Sequence, residues 1–270
     1  MDILTWNQGG NMLIIGEKIN VMLKQIGQAM KDRDKKPIQD LAVSQVQAGA
    51  NALDINAGPA TKNGPEIMQW LVNTVQEVTD VTLSLDTTNA EAMEAGLQVC
   101  KNPAIINSTS GDRAKLETIM PMAKKYDADV IGLTMTSAGV SRDANERVAI
   151  AVDIMTAMAE FDVPVERLYL DPLILPVGVA QNQAMEVVEA IKMFRQLNDP
   201  PIKSVVGLSN VYNGTPERLH SILSSTYLVM LMTVGLDAAI ADPMDQRLME
   251  SMKTARLFKN DILYCDSYLE

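Results

Sequence analysis

The chain has 270 residues and a net charge of −11, from 34 acidic and 23 basic side chains, and 47% of it is hydrophobic. That length suits one closed α/β barrel of about 250 residues, while the acidic balance and the lack of any Lys/Arg run exclude a nucleic-acid surface, which must track phosphates. Two distant cysteines, Cys100 and Cys265, and a single histidine, His220, exclude a disulfide framework and a His/Cys zinc site and point to a reducing, cytoplasmic setting.

In chain order, residues 1–11 are a polar, Gly-containing stretch before a second methionine, Met12, and are set aside as an N-terminal extension; residues 12–270 are expected to form one domain. Short β-branched or Leu-rich runs recur at 12–15, 52–55, 81–85, 104–106, 130–133, 168–170, 204–208 and 238–240. Apolar residues at three-to-four spacing fill the gaps over 37–48, 64–78, 90–99, 113–125, 144–160, 183–197 and 216–233 and predict helices there. Several of these open on a cap or a proline, as in Asn63-Gly64-Pro65 and Thr215-Pro216. The strand ends recur every 20 to 40 residues or so, roughly what a strand, a crossover helix and two loops need in a parallel sheet. Eight such units predict a single-domain (β/α)8 TIM barrel. The longest apolar run, 227–232, belongs to the last of these helices and falls short of the roughly 20 residues of a membrane span. Its methionines, like most of the 18 in the chain, are read as core filler, with a subunit contact as the alternative.

A barrel of this kind carries its chemistry at the C-terminal ends of its strands, and the polar residues there are regular. Glu17 and Asn20 follow the first run, Asp54 and Asn56 end the second, Asp86 the third, and Asn107 with Ser108 the fourth. Thr134 follows the fifth, Asp171 ends the sixth, Ser209 and Asn210 end the seventh, and Asp242 follows the eighth. One reading is that each caps the next helix, since Asp, Asn and Ser are favoured N-caps. The other is a binding rim, favoured because carboxylates and carboxamides share it almost without Lys or Arg. Such a rim suits a flat heterocycle with adjacent N–H donors, because a carboxylate accepts two parallel N–H bonds and an Asn both donates and accepts. A pterin has that edge, and other polar heterocycles satisfy the same pattern.

The segments LIIGEKIN (13–20), ALDINAGP (52–59), LSLDTTN (83–89), IINSTSG (105–111), IGLTM (131–135), LDPLILP (170–176), VVGLSNV (205–211), DAAIADP (237–243) and the terminal YCDS resemble the pterin-binding methyltransferases. The resemblance covers nearly all of residues 12–270. That superfamily includes the folate domain of cobalamin-dependent methionine synthase, dihydropteroate synthase, and the methyltetrahydrofolate–corrinoid protein methyltransferases; GLSNV, DPLILP and YCDS tie the chain to the last group. The resemblance implies an enzyme that moves the N5-methyl group between methyltetrahydrofolate and the cobalt of a corrinoid (cobalamin) carried by a partner protein. It also implies a homodimer and no tightly bound metal.

Residue by residue, Asp86, Asn107 and Asp171 match the family's positions that hold the pterin edge, and Asn210 matches the Asn that reaches N5 and assists transfer. Asp54 and Asn56 in the second-strand motif, with Gly207 and Ser209 in the seventh, complete the expected folate-binding set. Glu17 matches the acidic residue of the GEKIN-type motif, for which a structural role and a ligand contact are both open.

Breaking the methyl–N5 bond leaves charge on nitrogen unless a proton or hydrogen bond arrives. With no His or Lys at the matching positions, no general acid with a pKa near neutrality is expected on the rim. Asn210 is expected to donate a hydrogen bond to N5, with the proton coming from solvent. No corrinoid-binding module with its His-containing loop is recognisable, so a partner is expected to dock over the mouth. A dihydropteroate synthase would need basic residues there to grip pyrophosphate, and Lys203 begins the seventh strand, at the other end. A non-catalytic folate-binding subunit is the second rival, and Asn210 argues against it. His220 is read as surface or packing, and Cys100 and Cys265 as small apolar fillers.

Overall fold

The computed structural model describes residues 12–58 and 63–266. The expected extension over 1–11 lies outside them, as do Pro59 and Ser267 from two of the motifs.

Each of the eight expected runs forms a strand. The first five are β1 (Leu13–Asn20), β2 (Ala52–Asn56), β3 (Thr82–Asp86), β4 (Ile105–Ser110) and β5 (Asp129–Leu133). A short antiparallel hairpin, β6 (Met135–Thr136) and β7 (Gly139–Val140), follows the fifth. The sixth, seventh and eighth barrel strands are β8 (Leu168–Asp171), β9 (Lys203–Gly207) and β10 (Ala238–Ala241). They pair in the order β1-β10-β9-β8-β5-β4-β3-β2 and close into a barrel, with Leu13 opposite Ala238 at the seam.

The helices are α1 (Lys24–Asp32), α2 (Lys35–Gln47), α3 (Gly64–Gln76), α4 (Ala90–Val99), α5 (Arg113–Tyr126), α6 (Ala144–Glu160), α7 (Val177–Ala180), α8 (Gln183–Phe194), α9 (His220–Thr233) and, after the last strand, α10 (Gln246–Phe258). Not foreseen were α1, α7, α10, the hairpin and two 3-10 turns, Val165–Arg167 and Leu208–Tyr212, the second of which carries Ser209 and Asn210. For α1 the reason is local, because Gly27 in the middle of a short segment weakens its helical signal. In α10 the signal was present, with Leu248, Met249, Met252 and Ala255 buried on one face. The segment 216–233 enters as a 3-10 turn, Glu217–Leu219, before α9 begins.

Side chains alternate across a strand, and this decides what lies inside. Ile15, Ala52, Ile105, Ile131, Tyr169, Val205 and Ala238 gather into one cluster that plugs the lumen. Two residues further along the same strands, the inward side carries Glu17, Asp54, Asn107, Leu133, Asp171, Gly207 and Ile240, joined from β3 by Asp86 two residues after the buried Ser84. An apolar floor thus lies under a polar layer at the mouth.

The outward-facing residues pack against the helices. Leu53, Ile55, Leu85, Ile106, Val130 and Leu170 share one large cluster with helical residues such as Met68, Met93 and Ile154. Ile14, Val206 and Ala239 share another with Tyr227, Leu228, Leu231 and Met232, so most of the run 227–232 is core of its own chain. Among the described residues no helix is long and apolar enough to cross a membrane.

Candidate active site

The rim residues and the helix caps are different residues. Helix N-termini are capped by Asp34, Asn89, Asp143 and Asp245, whose side chains accept from Lys36, Ala92, Glu146 and Leu248 N–H respectively. Four rim residues instead use one side-chain oxygen to close a turn two residues on. Asn20 accepts from Met22 N (2.9 Å), Asn56 from Gly58 N (2.7 Å), Asp171 from Leu173 N (2.7 Å) and Asp242 from Met244 N (3.0 Å). Such Asx turns shape the loops, and in Asn56 and Asp242 the second side-chain atom is taken up by Asp86 and Lys18 respectively.

On the β2–β3–β4 side, the register sets Asn56 beside Asp86 and Asp86 beside Asn107. The Asn56 amide donates to Asp86 Oδ2, while Asn107 Nδ2 donates to Asp54 Oδ1 (2.9 Å), which also accepts from the Ser84 hydroxyl (2.7 Å). Asp54 is buried at 4% exposure, so it reaches the mouth through Asn107. Engaging the Asn107 amide in this way fixes which end of that carboxamide is free to turn to a ligand. Ser84 is the residue missed here, and its one signal was a hydroxyl between Leu83 and Leu85.

On the opposite side, Asp171 and the seventh-strand motif meet. Gly207 N–H faces the Asp171 carboxylate, and a Cβ on Gly207 would come within 3.0 Å of Asn210 Nδ2. The missing side chain therefore leaves room for the Asn210 carboxamide, whose oxygen accepts from Asn213 Nδ2 (3.2 Å). Ser209 turns the other way and faces the Glu17 carboxyl. Beside it opens a cavity of about 280 Å³, walled by Glu17, Lys18, Ser209, Tyr212, His220 and Asp242 among others. Lys18 on that wall is paired with Asp242 at 2.6 Å. His220, read as packing, stacks on Tyr212 with centroids 4.1 Å apart and contacts the Thr215 carbonyl through Nε2 at 3.0 Å.

Burial dominates the electrostatics of this layer, because desolvation disfavours a charged carboxylate. It pushes Glu17 up to about 7 against the opposing Ser209 hydroxyl and Lys18 charge. It pushes Asp171 up to about 7 against the Leu173 and Gly207 N–H groups and the more distant Arg147 charge. Asp54 is raised by burial and by its neighbour Asp86, and Asp86 by burial. The expectation that the rim holds no group titrating near neutrality is thus corrected. Carboxyls reach that range because burial outweighs the few neighbouring cations, which composition does not reveal.

The remaining residues singled out lie elsewhere. Lys203 begins β9 at the closed end, with Nζ over the Tyr169 ring at 4.2 Å. Cys100 is half-buried, with its thiol pushed up to about 12 by burial, and Cys265 is exposed. Among the described residues no group of three or more His, Cys, Asp or Glu is placed to hold a metal ion.

Residues 16–242 match the family model described as pterin binding enzyme. The chain belongs to the pterin binding enzymes. Within this family it is 28% identical over 260 residues to the methylcorrinoid:tetrahydrofolate methyltransferase of Eubacterium limosum, covering 95% of this chain and 94% of that one. It is 26% identical over 244 residues to methionine synthase of Mycobacterium tuberculosis, covering 86% of this chain but 20% of that protein. Among solved structures it is similar to dihydropteroate synthase from Yersinia pestis, with a TM-score of 0.69 at 15% identity over 93% of this chain and 94% of that chain. The enzyme from Clostridium difficile solved with pteroic acid gives 0.67 at 18% identity, over 94% and 98%. At those identities the two structures establish the shared barrel and no more.

Proposed function

We propose that this pterin binding enzyme transfers the N5-methyl group between methyltetrahydrofolate and the cobalt of a corrinoid carried by a partner protein. The observation that carries the reading is the inward polar layer itself, in which Asp86, Asn107 and Asp171 surround the lumen mouth and Asn210 stands over Gly207. Carboxylates surrounded mainly by amides, hydroxyls and backbone N–H groups in a desolvated layer suit a ligand edge of N–H donors, which a pterin presents. The relative from Eubacterium limosum supports the choice of reaction, and its name favours flow from methylcorrinoid to tetrahydrofolate.

In this reading Asp86, Asn107 and Asp171 bind the pterin edge, while Asp54 and Asn56 orient Asn107 and Asp86. Gly207 gives space, and Asn210 directs its amide at N5. When the methyl leaves N5, the nitrogen keeps the bonding pair, and the Asn210 hydrogen bond strengthens as that charge grows. The Glu17–Ser209 contact on the cavity wall provides a route for protons from solvent to that side of the rim.

The corrinoid supplies the cobalt that gives or takes the methyl, and the chain's part is to hold N5 in line with it. Large apolar side chains stand exposed on three loops around the mouth: Met22 (83%) after β1, Val179 (85%) after β8 and Met244 (44%) after β10. They fit a protein seated over the site. A cytoplasmic, homodimeric enzyme belongs to the same reading, the first from the cysteine usage and the second from the resemblance. The synthase alternative lacks support at the mouth, where Lys18 on the cavity wall is committed to Asp242.

The test is anaerobic absorbance spectroscopy of purified enzyme mixed with methyltetrahydrofolate and reduced cobalamin, beside Asn210→Ala. Methylcobalamin formation by the wild type, slowed roughly hundredfold or more in the variant as for a lost preorganised donor, is the expected result. Folate binding without exchange, even when a corrinoid protein is supplied, would return the chain to the non-catalytic reading.

A further inference from the structure

The buried charged side chains among the described residues are Asp54, Asp171 and one cation, Arg147. Arg147 lies in the first turns of α6, is fully shielded from solvent, and belongs to none of the rim motifs. Its Nε donates to the Pro172 carbonyl at 2.7 Å and its Nη2 to Gln183 Oε1 at 2.9 Å. A buried guanidinium is costly unless it is held for a purpose, and here Nη1 is buried without an acceptor among the described residues.

The turn that Arg147 grips is the one that carries Asp171. The Asp171 main-chain carbonyl accepts from Thr134 N and Thr134 Oγ1, both at 3.0 Å. The next carbonyl, of Pro172, is the Arg147 acceptor, and the N–H after it, of Leu173, is bound by the Asp171 side chain at 2.7 Å. Leu173 has φ +65°, a left-handed conformation that a bulky residue adopts only when its surroundings impose it. Three consecutive residues are therefore pinned, and Arg147 supplies the pin that comes from another helix.

We propose that Arg147 is a positioning residue for ligand binding: it clamps the Pro172 turn that aims Asp171 into the mouth and sets a positive charge behind that carboxylate. The inference rests on the folate-binding reading for its functional readout but not for its electrostatic one. The groups that act on the pair are few. Glu186 of α8, Tyr227 of α9, Asp143 at the α6 N-cap and Asp171 face Arg147, while Leu173 N–H, Gly207 N–H and Arg147 face Asp171. Arg147 is a cation, so it favours the ionised Asp171, and its removal must move the Asp171 titration to higher pH.

The experiment compares the wild type with Arg147→Lys, which keeps the charge, and Arg147→Gln, which keeps a donor but not the charge. The Asp171 carboxyl is titrated by carbon NMR in aspartate-labelled protein, with its resonance assigned by Asp171→Asn. Tetrahydrofolate affinity is measured across the same pH range, and thermal unfolding checks that each variant is folded. Expected for Gln is an upward shift of the Asp171 midpoint by about half a unit or more, with binding weakened roughly tenfold and its acid limb displaced the same way. Expected for Lys is an unmoved midpoint and a loss of a few-fold.

An Asp171 midpoint common to all three proteins overturns the proposal, whether or not folate binds. Should the Gln variant fail to fold, the Lys variant decides, because wild-type folate affinity without the forked contacts also overturns the clamp. If the wild type itself binds no tetrahydrofolate, the functional reading falls, and the NMR midpoints still judge the link from Arg147 to Asp171.

Discussion

The two ends of the barrel both hold charge at least partly shielded from water, but they compensate it differently. At the closed end, Asp129 and Asp237 flank Lys203, with Arg167 at 3.3 Å from Asp129 and Arg195 at 3.8 Å from Asp237. Burial raises both aspartates, and at each of them two cations oppose it. At the mouth, Asp54, Asp86, Asp171 and Glu17 are surrounded mainly by amides, hydroxyls and backbone N–H groups, with Lys18 near Glu17 and Arg147 behind Asp171. A layer built for stability pairs its ions. A layer left short of counter-charge carries a standing desolvation cost that a ligand's N–H groups can relieve.

This contrast is broken most directly by exchanging charge at each end. Asp171→Asn should weaken tetrahydrofolate binding by about 3 kcal/mol, the scale of a hydrogen bond to a buried charge, with the melting temperature unchanged or raised; calorimetry and thermal unfolding check both. Lys203→Met should do the reverse, lowering unfolding free energy by about 2 kcal/mol because Asp129 and Asp237 lose their shared cation, with folate affinity per folded molecule unchanged. A denaturant titration measures it, and a matching loss of affinity would mean that the two ends are coupled. Gly207→Ala should be milder, slowing methyl transfer by about 1 kcal/mol, or several-fold, as the added Cβ displaces the Asn210 amide. The readout is the same anaerobic assay with binding scored separately.

The broadest effect is on pH dependence. Glu17 and Asp171 have ordinary values of 4.5 and 3.8 and are pushed up to about 7 by burial. The folded state then holds more protons than the unfolded one between about pH 4 and 7, so unfolding free energy should fall as pH rises through that window and level off above it. Folate N–H donors favour the ionised carboxylates, so binding near pH 6 should release protons. Calorimetry in buffers of different ionisation heat detects that release, and proton uptake instead would mean that the carboxyls bind as acids.

Much of this was legible without coordinates. Eight β-branched or Leu-rich runs at crossover spacing were enough for the barrel, because a parallel strand needs a helix-length return and its outward residues must be apolar. The polar residues ending those runs marked the mouth for the same reason. Which of them are partners was not legible: Asn107 bonds Asp54, 53 positions away, and Ser209 faces Glu17 from the far side of β10. Arg147 was invisible, since an arginine in an amphipathic helix reads as a solvated face until packing closes over it. Local spacing and hydropathy are properties of neighbours along the chain, and they determined the elements, their order and the end of the barrel that carries polar chemistry. Burial, counter-charge and the resulting protonation states depend on what distant segments bring to the same few ångströms, and the tertiary structure alone decided those.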